Sequence, residues 1–481
     1  MPACHRGTRP LGGPIDTLSA GTDERPTMTD GPGELAEVIE AVHERVTPDA
    51  AERELLEAVA DELEARAERA VADLPVEADV VRVGSTARGT WLAGDRDVDL
   101  FVRFPADLPR QDLERYGLAV GHEVLPEGHE EYAEHPYVKG EHRGFDVDCV
   151  PCHDVESAAE IQSAVDRTPF HNAYLRERLD GSTAGDVRVA KAFLKAHGAY
   201  GANLRTRGFA GYLVELLVLE HGGFAELVEA AADWTPPLRF DPVGHGTREF
   251  DDPLVVVDPT DPERNVAAAL SPTNLARLQH YARELLADPR ESLFEPHEPD
   301  PLSATEIREA VADRGTEPVA VRFDAPEIVD DQLYPQLDRS LSGLRDELDR
   351  RGFDPLRTAR FADRTAVLLV ECGVAERPRI ERHGGPPVGV RVHAEGFYAK
   401  YEDDPDVYGP FVEGGRYAVE RRREFRTPGA VCESDALFDV SLGPHVASAL
   451  EAGYEVHTGE ELAALAEEFG VELARYFDPV P

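Results

Sequence analysis

Apolar residues recur every three or four positions over residues 33–46 and 50–74, the spacing of one buried helix face. The pattern then shortens. Residues 78–84 and 97–104 predict strands, 109–124 returns to helical spacing, and 131–139 with 144–152 predict a hairpin. Together they describe a small mixed domain over residues 30–155. From 156 to 295 the chain is mostly helical, with helices predicted at 169–180, 186–198, 208–222, 262–269 and 272–287. Thr168-Pro169 starts the first of these, Thr as N-cap and Pro at the first helical position. A Pro-rich break at 288–302 precedes a second mixed region over 296–481. There, strands are predicted at 317–324, 357–362, 365–372 and 387–393, and helices at 335–352 and 458–475. The expected fold class is α+β. Residues 1–29, rich in Gly, Pro, Thr and Arg and without the apolar core of a signal peptide, are expected to form a disordered extension.

Chemistry concentrates in the stretch from Val83 to Leu100. A strand ends in Gly84-Ser85, a short helix follows, and the next strand carries Asp97 and Asp99. Residues two apart on a strand share a face, so these carboxylates project together and repel unless a cation lies between them. A Gly-Ser turn opening a helix presents backbone N–H groups to an anion. Divalent metals on clustered carboxylates beside a triphosphate are what nucleotidyl transfer requires. The predicted strand Phe145–Pro151 offers a third carboxylate, and spacing leaves Asp146 and Asp148 equally placed.

Cations suited to a phosphate lie nearby in sequence. Ser85 and Arg88 are one helical turn apart. Arg188, Lys191 and Lys195 form one stripe on a helix, in a chain whose only other lysines are Lys139 and Lys400. His171 lies in the first turn of its helix. Further on, Arg416, Arg421, Arg422, Arg423 and Arg426, with Tyr417 and Phe425, make a basic and aromatic patch suited to a nucleic-acid backbone. The bland alternative is a helix face salt-bridged through Glu420 and Glu424.

Composition changes the picture in one respect. The net charge is −44, from 94 acidic and 50 basic residues, which ordinarily argues against an RNA partner. The acid-rich, lysine-poor balance resembles that of proteins from salt-filled cytoplasms. At 1 M salt the Debye length is about 3 Å, so long-range repulsion vanishes and only close contacts count. The five scattered cysteines imply no disulfide framework and fit a reducing, cytoplasmic setting. Cys149-Val150-Pro151-Cys152-His153 matches a haem-attachment pattern, but its strand-like setting and the lack of a second pair argue against haem or zinc. No apolar run approaches the roughly 20 residues of a membrane span.

Gly84-Ser85 with Asp97-Val98-Asp99 matches the signature of the polymerase-β-like nucleotidyltransferases. Longer stretches are more specific: Gly84–Leu92, Tyr132–Tyr137, Asp148–Cys152, Ser163–His171, Gly208–Leu213 and Arg264–Ala268 resemble the archaeal, class I CCA-adding enzymes. The resemblance implies a polymerase-like head, a helical neck, and an α/β body and tail that hold the acceptor and T arms of tRNA. It implies addition of CMP, CMP and AMP from CTP and ATP to tRNA with Mg2+, usually by a homodimer. It selects Asp148 over Asp146, making Asp97, Asp99 and Asp148 the catalytic metal carboxylates. Ser85, Arg88, His171, Lys191 and Tyr200 match its triphosphate contacts, and Arg264 its base-reading arginine. The nearest rival readings are a poly(A) polymerase and an inactive RNA-binding relative.

Overall fold

The computed structural model describes residues 31–132 and 134–481; the expectation for residues 1–29 lies outside them. Helices α1 (Gly31–Val46) and α2 (Ala50–Ala72) come first. Asp49 and Glu52 cap α2 reciprocally, each side chain accepting a hydrogen bond from the other's backbone N–H. Its stripe of Leu56, Val59, Ala60, Leu63 and Ala67 is fully buried. It covers a five-stranded sheet built from β1 (Asp79–Val83), β2 (Asp97–Pro105), β3 (His129–Tyr132), β4 (Pro136–His142) and β5 (Phe145–Asp154). The order is β1-β2-β5-β4-β3, with β2 and β5 parallel and every other pair antiparallel. The five-residue helix α3 (Gly84–Arg88) follows β1, and α4 (Arg110–Val124) crosses between β2 and β3. Gly117 and Gly121 let α4 lie directly on the sheet, since a Cβ at either would come within 2.5 Å of Pro151 or Val138.

The central core is formed by α5 (Thr168–Arg176), α6 (Gly181–Ala196), α7 (Gly211–His221), α8 (Phe224–Asp233) and α9 (Pro272–Ala287), with a small sheet of β6 (Leu238–Phe240), β7 (Leu254–Asp258) and β8 (Asp261–Asn265). Helix α1 was expected with the first sheet. Its Leu35 and Val42 instead enter this central core. The helix expected at 262–269 is also absent: residues 261–265 form β8, and Asn265 then holds the turn by accepting from the N–H groups of Val256 and Ala267. So short an apolar run does not distinguish strand from helix.

The C-terminal region has a four-stranded antiparallel sheet, β10-β11-β9-β15, from β9 (Glu317–Asp324), β10 (Pro355–Ala362), β11 (Thr365–Cys372) and β15 (Tyr454–Thr458). Around it lie α10 (Ala304–Arg314), α11 (Asp330–Arg350), α13 (Pro428–Cys432), α14 (Pro444–Ala452) and α15 (Ala466–Phe477). Between β11 and α13 the chain inserts a three-stranded sheet, β12 (Ile380–Pro387), β13 (Val407–Glu413) and β14 (Arg416–Arg422), with α12 (Arg391–Tyr401) beside it. The strand expected at 387–393 ends where it was expected to start. Its alternating valines are not core residues, and Val392 is 81% exposed.

Candidate active site

Strand β1 pairs with β2 so that Val83 lies opposite Asp99, and the chain then turns into α3 at Gly84. Gly84 has φ +79°, and a Cβ there would fall 1.9 Å from Oδ2 of Asp99. Only glycine satisfies both the left-handed backbone and the close carboxylate. Gly89, φ 70°, closes the short helix and releases the chain toward β2.

The parallel register of β2 and β5 sets Asp97 beside Asp146 and Asp99 beside Asp148. All four carboxylates share one face of the sheet. Burial raises the Asp99 carboxyl to about 6, helped by the charges of Asp148 and Asp97. Burial likewise raises Asp97, with Asp95 and Asp146 adding repulsion. Asp148 is raised by burial despite Lys139, which pairs with it across β4 and β5 and brings Nζ to 3.6 Å from Oδ1. Asp148 is half-buried, and its Oδ1 is buried without a hydrogen-bond partner among the described residues, whereas Asp146 is exposed. Among the described residues no three acidic, His or Cys side chains already converge on one point. The residues nevertheless fit a divalent cation: an all-oxygen set, an orphaned carboxylate oxygen, and charges that repel one another until a cation neutralises them.

The cations expected to meet a triphosphate come together across the junction of head and central core. Arg88 donates from Nε and Nη2 to both oxygens of Glu215, at 3.2 and 2.9 Å, and from Nη1 to Asn172 Oδ1 at 3.2 Å. Lys191 donates to the Thr90 carbonyl at 2.9 Å and to its hydroxyl at 3.2 Å, and lies 3.8 Å from Glu215. Burial lowers the Lys191 ammonium to about 8, although Glu215 opposes the shift. Arg188 and Lys191 are buried, so the basic stripe is not a solvated face; the exposed Lys195 is tied to Asp95 at 3.0 Å. Tyr200 places its hydroxyl 3.0 Å from where a Cβ on Gly211 would sit, beside Lys191. Ser85 is half-buried in α3.

A second cluster gathers on Asp258 at the end of β7. His171 Nε2 lies 2.8 Å and Arg264 Nη1 2.7 Å from Oδ2, and the Tyr212 hydroxyl donates to Oδ1 at 3.2 Å. The His171 and Tyr212 rings stack at 3.9 Å. Burial works to raise Asp258, but the hydrogen bond and charge of His171, with Thr260 and Arg264, hold its carboxyl well below the usual carboxylate range. Burial lowers the His171 imidazole against the pull of Asp258.

Glu215 and Asp258 both escaped the reading of the sequence. Each carried a signal. Glu215 is the lone carboxylate inside the apolar run Tyr212–Leu219, and Asp258 ends a strand of four buried apolar residues. A carboxylate in such a place requires partners. The Cys149-to-His153 motif also resolves: Cys149 and Cys152 enter cores on opposite faces of β5 and cannot act together.

The arginine patch is a strand and its exit rather than a helix. Arg416, Arg421 and Arg422 lie on β14, with Arg423 just beyond. Arg421 and Arg423 both pair with Glu381, at 2.9 and 3.1 Å, while Arg416 donates to the Gly385 carbonyl. Arg422 is exposed and has no ion-pair partner among the described residues. With Arg350 and Arg351 the last three border a cavity of about 390 Å³.

Three family models match the chain in succession: a nucleotidyltransferase domain over residues 64–171, a tRNA nucleotidyltransferase second domain over 185–295, and a CCA-adding enzyme C-terminal domain over 314–459. The CCA-adding enzyme of Haloarcula marismortui is 60% identical over 463 residues, covering 93% of this chain and 99% of that one. The chain belongs to the archaeal CCA-adding enzymes. That of Halorubrum lacusprofundi is 59% identical, covering 93% and 100%, and that of Methanosarcina acetivorans 40% identical, covering 91% and 97%. This CCA-adding enzyme is therefore a nucleotidyltransferase that adds CCA to tRNA, with nucleotides as co-substrates. No helix among the described residues is long and apolar enough to cross a membrane.

Proposed function

We propose that Asp97, Asp99 and Asp148 are the metal-holding carboxylates of this CCA-adding enzyme, and that CTP and ATP bind between them and the cations of the central core. The observation that carries the assignment is the register that puts Asp99 beside Asp148, under the Gly84-Ser85 turn. Mg2+, which prefers oxygen ligands, would there acidify the tRNA 3′-hydroxyl and neutralise charge on the leaving pyrophosphate. The chain's own groups position the reactants. Ser85 and the N–H groups of the turn face a phosphate, and Arg88 and Lys191 supply positive charge held in place by Glu215 and Thr90. His171 and Tyr200 line the same triphosphate path. Asp258 sets the plane of the Arg264 guanidinium, whose remaining donors are free to read a base edge. Arg416, Arg421, Arg422 and Arg423 hold the tRNA backbone, with Arg422 the freest of them. A cytoplasmic homodimer working at high salt completes the proposal; sedimentation in concentrated KCl tests the dimer.

A tRNA lacking its 3′ end, incubated with Mg2+ and CTP, ATP or both, tests the reading when its 3′ ends are sequenced. C, C and A are expected in order, with Asp97→Ala, Asp99→Ala and Asp148→Ala each abolishing incorporation while tRNA binding persists. Activity surviving in those variants, or poly(A) addition to generic RNA from ATP alone, would overturn it.

A further inference from the structure

Beside α3, a cavity of about 600 Å³ opens between α2 and the start of α6, and neither Asp97 nor Asp99 lines it. Four arginines line it: Arg53, Arg82, Arg88 and Arg188. Two are compensated, Arg88 by Glu215 and Arg82 by Glu57 at 3.0 Å and Glu64 at 3.5 Å. The other two are not. Among the described residues neither Arg53 nor Arg188 has a carboxylate within 4.0 Å, in a chain with 94 acidic residues and 50 basic ones. Arg188 is 8% exposed, and its hydrogen bonds go to neutral groups, the Thr47 hydroxyl and the Gly89 carbonyl, with His43 3.4 Å away. A buried guanidinium without a counter-ion is costly. The two carboxylates on the wall do not relieve it: Glu57 is taken by Arg82, and Asp180 caps α6 by accepting from Thr183.

Two residues of the wall also carry a buried polar atom with no hydrogen-bond partner among the described residues, Nη1 of Arg82 and Oγ1 of Thr86, the latter residue 5% exposed. The wall thus carries two uncompensated guanidiniums from different helices, Arg53 on α2 and Arg188 on α6. One carboxylate would be satisfied by a single arginine fork, whereas a phosphate has oxygens for several. The volume exceeds that of one phosphate and lies in the range of small-molecule sites. Trp91, buried in the core of the first domain, also borders the wall.

We propose that this cavity is a second binding site, separate from the catalytic face, for a small phosphorylated molecule: pyrophosphate or a nucleoside diphosphate. It goes beyond the nucleotide site assigned above and shares with it only Arg88.

Calorimetry on the full chain tests this in EDTA at one fixed KCl concentration, with inorganic pyrophosphate as titrant and ADP in a parallel series. Two binding events are expected, one lost in Lys191→Ala and the other weakened in Arg53→Gln with Thr86→Val. Arg53 is exposed and makes no side-chain hydrogen bond among the described residues, and Thr86→Val preserves volume, so circular dichroism should match the parent. The second event should weaken about tenfold to a hundredfold, the range for losing a hydrogen bond to a charged group. A single event in both titrations, removed by Lys191→Ala and untouched by the Arg53 and Thr86 changes, would overturn the proposal.

Discussion

Oδ2 of Asp99 occupies the space that a side chain on Gly84 would need, 1.9 Å from the ideal Cβ position. The Gly84-Ser85 turn and the Asp99 carboxylate, proposed above to face phosphate and metal, are thus one steric unit. Gly84→Ala should displace Asp99 and also force a side chain onto a left-handed backbone, a cost of about 1–2 kcal/mol. The variant should melt a few degrees lower and lose CMP and AMP incorporation while still retaining tRNA in a gel shift. Near-normal turnover would show that Asp99 does not need its place against the turn.

Asp99 also gives the metal-free protein a pH dependence. Its carboxyl moves from 3.8 up to about 6 on folding, so the folded state favours the protonated form. That contribution is fully present below about 4 and is lost as pH rises through 6. Asp99→Asn should therefore stabilise the EDTA-treated protein above pH 6 and do little at pH 4. Added Mg2+ should stabilise the parent above pH 6 and not the variant. Thermal melts across pH, with and without metal, check both.

Lys191 predicts the opposite limb. Its ammonium is lowered to about 8, so in the free enzyme its charge is lost as pH rises through 8. Nucleotide affinity should fall over pH 8 to 9, appearing as a rising KM at nearly constant kcat. Lys191→Arg keeps the charge and should flatten that rise, though its fork fits the Thr90 contacts less well.

Asp258→Asn removes the charge shared by His171, Tyr212 and Arg264. A buried network deprived of its anion should cost about 1–3 kcal/mol of stability. The readout specific to positioning is fidelity. With Arg264 released, the ratio of correct to incorrect nucleotide at each step should fall about tenfold or more, whereas a purely structural role would lower all rates together.

Arg422, exposed and without an ion-pair partner among the described residues, should contribute more to RNA binding than Arg421, which is held by Glu381. Arg422→Ala should weaken tRNA binding and reduce the slope of log affinity against log salt by about 1. Arg421→Ala should change both less, because Glu381 already neutralises much of its charge.

Much of the site was legible because it is local. Gly84, Ser85, Arg88, Asp97 and Asp99 lie within one short stretch, where strand alternation and turn chemistry decide which side chains share a face. Longer helices such as α2, α6 and α9 were legible for the same reason, since their periodicity outlasts any ambiguity. Short segments were not. Residues 261–265 and 387–393 carry too few positions to separate strand, turn and helix, and only burial decides them.

What the sequence determined by itself is the set of groups that act over a few residues: the turn, the carboxylate pair and the lysine-bearing helix. Only the tertiary structure decided who stands beside whom at long range. Asp99 meets Asp148 through a parallel register, Arg88 meets Glu215 across 127 residues, and His171 meets Asp258 across 87. The physical reason is that pairing register and buried charge compensation are properties of packed surfaces. A carboxylate in an apolar run announces that it needs a partner, but which cation supplies it depends on how the domains close around it.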